Sequence, residues 1–241
     1  MEMSTAETTG SPETLRGLGR RFLGAPVRAQ TYKNLLYLLL AFPLGIAYFV
    51  GLLTGGTIGV GLLLTWVGLP ILLGTLAAAA AVAGFEAHLA RRLVGVEAAV
   101  PAFLRDLDVR EGIALPGDGF LAAVKRLVTA PSTWTAVVLL LAKFVFGLVS
   151  FVAVVTSASV TAALLAAPFV YDAPAETISF LGSAPSGAYT VGSWVVTTLP
   201  QALAVAAAGV VFLFVALNLL NALARFHALY TAKLLRIGNR P

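Results

Sequence analysis

Apolar residues along this chain gather into four long runs, residues 34–53, about 60–85, about 134–156 and about 195–224, with polar or cation-bearing segments between them. Each run is long enough to cross roughly 30 Å of hydrocarbon as a helix, which takes about 20 residues. None alternates apolar with polar positions. Strands are thereby excluded, since an open sheet edge would leave backbone groups unsatisfied in lipid. The pattern predicts an all-α polytopic membrane protein, a bundle of four transmembrane helices.

Two of the runs share a phrase. "FPLGIAYFVGLLTG" at 42–55 resembles "FVFGLVSFVAVVTS" at 144–157, and at this offset of 102 residues Phe42, Gly45, Phe49 and Thr54 match Phe144, Gly147, Phe151 and Thr156. At an offset of 141, "FEAHLARRL" from Phe85 resembles "FHALYTAKL" from Phe226. The offsets differ by 39 residues, which places one insertion in the second half. The chain therefore reads as two helical hairpins of the same topology, a parallel internal repeat.

Charge orients them. Fifteen of the sixteen cations lie before the first run (Arg16 to Lys33), between the second and third (Arg91 to Arg126) or after the fourth (Arg225 to Arg240), whereas "TGGT" at 54–57, read as the first turn, and residues 157–194 carry none. The positive-inside rule then puts both termini and the loop 86–133 in the cytoplasm, and the loop 157–194 outside, in a cell membrane. With 59% hydrophobic and 11% charged residues and a mean hydropathy of +0.92, there is too little polar surface for a soluble globule. The net charge of +5 reads as topology and contact with anionic lipid. No basic groove interleaved with aromatics accompanies it, so nucleic acid is not expected as a partner.

Residues 1–30 form an N-terminal segment, Ser/Thr/Glu-rich to residue 13 and then a short amphipathic stretch; the four-span domain covers 31–238. The first apolar run starts late and is too long for a signal-peptide core, so no cleaved leader is expected. "GDGFLAAVKRLV" in the central loop predicts a membrane-surface helix leading to Trp134, and "TSASVTAALLAAPFVY" after residue 155 predicts an interfacial or shallow re-entrant segment ending near Pro168.

Catalytic constellations are missing. The chain has no cysteine, two histidines (His88 and His227, expected at helix ends in the interface), no HExxH, no GxSxG and no phosphate loop. No catalytic residue, metal ligand or cofactor site is assigned. Four candidate features remain. Lys143 is the one cation inside a span, where an unpaired charge costs about 2.5–3.5 kcal/mol; it either snorkels or faces Asn218 or Asn221 on the last helix. Asn218, Asn221 and Arg225 form a polar stripe suited to interhelical hydrogen bonds. Asp172 and Glu176, with no cation nearby in sequence, are a candidate outer-loop input.

The phrases "YLLLAFPLGIAYFVGLLT", "FEAHLARRLVG", "PSTWTAVVLLLAKFVFGLVSF" and "TLPQALAVAAAGVVFLFVALNLLNALARFHALYTAKLLR" resemble the sensor domain family of four-span membrane modules, often fused to histidine kinases, over about residues 30–238. The resemblance implies a non-catalytic sensing role. Because the sequence ends at Pro241, output is expected to pass to a separate membrane or cytoplasmic signalling protein; a homo-oligomer is compatible with the glycine-rich faces. A small transporter or channel subunit, and an assembly subunit of a membrane complex, are the alternatives.

Overall fold

The computed structural model describes residues 24–101, 125, 127–172, 189–191 and 194–239. Four long helices dominate it: α1 (Ala29–Gly61), α2 (Gly68–Leu89), α3 (Pro131–Val170) and α4 (Leu199–Gly238). A π-helical turn, Ala90–Val94, prolongs α2 and closes on Gly95 at φ 77°. Each helix is long and apolar enough to cross a membrane, and only 22–28% of the most apolar stretch of each is buried within the protein. The remainder presents residues such as Leu36, Val145, Val149 and Val211 outward. Such a surface is solvated by lipid, and the chain is a multi-pass membrane protein.

Two segments expected to leave the spans are helical instead. "TGGT" lies inside α1, and the chain reverses instead at Leu62–Val67, where Trp66 takes φ 61° and Gly68 N–H donates to Leu62 O at 3.1 Å. Glycine breaks helices readily in water, but in lipid each broken backbone hydrogen bond goes unpaired, so the helix continues. For the same reason α3 runs on through "TSASVTAALLAAPFV" with Pro168 inside it, where an interfacial or re-entrant segment was expected. Of the surface helix expected at 117–128, only Lys125, Leu127 and Val128 are described, and they are helical.

Contacts separate two compact units. The larger comprises Tyr32–Thr156 and Leu220–Pro241. Its core is built from small residues: Ala79, Ala83 and Ala87 of α2 pack with Ala136, Leu139 and Leu140 of α3 and Leu235 of α4, while Tyr37 and Leu38 of α1 pack with Leu220 and Ala224. α1 and α3 approach to backbone contact, since a Cβ at Gly45 would lie 2.7 Å from Lys143 O and one at Gly147 would strike Ala41 O. With lipid on both sides there is no hydrophobic drive between helices, so this close van der Waals contact provides much of the association.

The smaller unit holds Ser157–Leu219 and the described residues before Tyr32. Here Ala167 of α3 and Ala202 and Val205 of α4 form a core with Tyr189 and Val196. Tyr189 Oη donates to Ala163 O at 2.7 Å, and a two-residue antiparallel ladder pairs Thr190 with Val195 and Val191 with Trp194.

Candidate functional site

Three helices of the larger unit bring ionisable groups together in its interior. α2 contributes Glu86, α3 contributes Lys143, and α1 contributes Tyr37 and Tyr48, eleven residues apart and therefore on one helix face. Glu86 and Lys143 are 0% and 2% exposed, which no charge tolerates without a partner. Lys143 Nζ lies 2.6 Å from Glu86 Oε2 and donates to the Tyr37 hydroxyl oxygen at 2.8 Å, with the Tyr37 ring centroid 4.4 Å away. Tyr48 Oη donates to Glu86 Oε1 at 3.0 Å. Among the described residues the Lys143 ammonium is the partner that neutralises Oε2. The group is a closed polar network: each charge is matched, and each carboxylate oxygen has a partner.

A second polar contact lies on α3 and α4. His227 is buried, its ring nitrogens 3.4 and 3.5 Å from Ser150 Oγ and its ring 4.8 Å from that of Phe146. The two contacts correspond in sequence. Adding 102 to Tyr48 gives Ser150, and adding 141 to Glu86 gives His227, so the hydroxyl that meets the α2 acid has its counterpart in the hydroxyl that meets the α4 imidazole. At the first of these offsets Lys143 aligns with Ala41.

The candidate residues divide accordingly. Of the two alternatives for Lys143, snorkelling is not what is seen: the side chain is buried in the bundle, held by Glu86 and Tyr37 and not by Asn218 or Asn221, which the inward alternative named. Asn221 Oδ1 instead accepts from Asn34 Nδ2 at 2.8 Å, an interhelical bond of the expected kind, and Asn218 Nδ2 donates within α4 to Phe214 O at 2.7 Å. Asp172 is exposed just beyond α3, and Glu176 lies outside the described residues. Sequence reasoning missed Glu86 by assigning it to the cytoplasmic loop 86–133, and it placed His227 in the interface. The offset of 141 that aligns Glu86 with His227, two polar residues in otherwise apolar turns, was the available signal. No group of His, Asp or Glu suited to a metal ion occurs among the described residues.

A groove of about 360 Å³ between α1 and α2 runs beside the network, lined by Ala47, Tyr48, Gly51, Gly74 and Ala78 among others. Tyr48 thus belongs both to the groove wall and, through its hydroxyl, to the ion pair.

The sequence from Tyr37 to Leu235, residues 37–235, matches the family described as Putative sensor. No curated protein and no solved structure matches the chain.

Proposed function

The chain belongs to the Sensor family, and from that membership we propose that it is a non-catalytic sensing module of the plasma membrane that passes a membrane or extracellular signal to a separate protein. The observation that carries the reading is the buried Glu86–Lys143 pair. A charge pair inside an apolar helical bundle is weak as a stabiliser, because desolvation offsets most of its attraction. It is effective as a latch, because any rearrangement that separates the partners leaves an uncompensated charge in lipid. With its hydroxyl on Glu86 and a place in the groove wall, Tyr48 gives a change in the surrounding bilayer a direct route to that latch.

The corresponding contacts Tyr48–Glu86 and Ser150–His227 support descent from a duplicated hairpin, and the cation distribution supports both termini facing the cytoplasm. The segment joining α3 and α4, with Asp172 at its start, has no counterpart in the first hairpin and is the second candidate input. Affinity purification from membranes in mild detergent tests the reading: one separate signalling or regulatory protein should co-purify. Ion flux through the purified chain in liposomes, without any such protein, would replace sensing by conduction.

A further inference from the structure

A cavity of about 740 Å³ opens where the end of α2 meets the end of α4, both in the larger unit. Three cations line it, Arg91 from the π turn after α2 and Lys233 and Arg236 from the last turns of α4, against one acid, Glu97. Lys233 and Arg236 are three residues apart and share a helix face. Residues 96–99 complete the lining, and the chain there is tethered to both helices: Arg91 Nη2 donates to Ala98 O at 3.1 Å, and Asn239 Nδ2, just past α4, donates to Val100 O at 2.8 Å. Leu229 and Ala232 continue the lining one turn further along α4 toward the apolar part of the helix, and Leu229 is 58% exposed. The cavity thus has a cationic mouth, a tethered rim and an apolar side leading along a spanning helix.

We propose that this cavity is a binding site for the phosphate-bearing headgroup of an anionic phospholipid, with Arg91, Lys233 and Arg236 receiving the phosphate and Leu229 and Ala232 lying along the first part of the acyl chain. Guanidinium groups suit phosphate oxygens through their paired donors. Basic pockets between helices at a membrane surface recognise such headgroups. The apolar side distinguishes a lipid from a free anion, which would gain nothing from Leu229. The site is independent of the sensing role proposed above.

The test is native mass spectrometry of the full chain in mild detergent, counting retained phosphatidylglycerol against phosphatidylcholine, with inorganic phosphate as competitor. Phosphatidylglycerol should be retained selectively, and Arg91→Gln, Lys233→Gln and Arg236→Gln should each weaken retention about fivefold. Arg92→Gln, on the same turn but outside the lining, should not weaken it. Arg91 also tethers the rim, so the α4 variants carry the result if Arg91→Gln misfolds. Equal retention of phosphatidylcholine, an equal loss in Arg92→Gln, or displacement by inorganic phosphate at concentrations comparable to the lipid would each overturn the proposal.

Discussion

Phe42 stacks on Phe151 with ring centroids 4.4 Å apart, and the contact that the 102-residue offset makes of this one, Phe144 on Phe49, is also present at 4.5 Å. The order is swapped: the earlier phenylalanine of each helix meets the later one of the other. Gly45 and Gly147 obey the same exchange, each lying against backbone of the other helix around Lys143–Phe144 and Ala41–Phe42. Such reciprocity belongs to two helices that run in opposite directions about a local two-fold, where hairpins of the same topology were expected to set α1 and α3 parallel, and it makes the repeated phrase a pair of mating surfaces.

Gly45→Ala and Gly147→Ala should therefore both destabilise, since backbone on the facing helix cannot yield as a side chain can. About 1–3 kcal/mol each is expected from overpacking. A Cβ at Gly51 meets nothing within 4 Å, so Gly51→Ala should leave the thermal midpoint in detergent unchanged or raise it. Equal behaviour of all three variants would show that the approach of α1 and α3 is not limiting.

Lys143→Met and Glu86→Gln should each lower stability strongly, by about 3–5 kcal/mol, because one buried charge is left unpaired. The double change Glu86→Gln with Lys143→Met should recover most of that loss, and a double-mutant cycle on unfolding in mixed micelles measures the coupling. Additive losses would mean that the two side chains do not depend on each other.

Much of this architecture was legible in the sequence, and the part that was not has a physical cause. Apolar run length located all four helices because lipid imposes a minimum span. It misplaced their ends because turn-forming residues such as Gly55, Gly56 and Pro168 lose their meaning where no water waits to accept a broken backbone bond. Lys143 stood out as a lone charge in a span, but Glu86, 57 residues earlier, could not be recognised as its partner, because the helix pairing that joins them is a tertiary fact. Asn221 was recognisable as an interhelical donor or acceptor; that its partner would be Asn34 was not.

Burial pushes the Tyr189 hydroxyl above its ordinary value of 10.0. Its hydrogen bond to Ala163 O requires the protonated form, so the stability it contributes is intact below pH 10 and is lost as pH rises through the raised folded value. Tyr189→Phe should be less stable than the parent by about 0.5–1.5 kcal/mol at neutral pH, and the gap should narrow under alkaline conditions. Unfolding measured across that range checks this; a gap independent of pH would remove the hydroxyl from the account.

Photo-crosslinking in living cells from Ile237, which is exposed near the end of α4, reads whether the buried ion pair of this membrane sensor governs its contact with a separate protein. The parent chain should give an adduct with one other protein, and the yield of that adduct should change in the folded Glu86→Gln, Lys143→Met variant. Adducts with no protein other than a second copy of the chain, or a yield identical in the two proteins, would contradict that control.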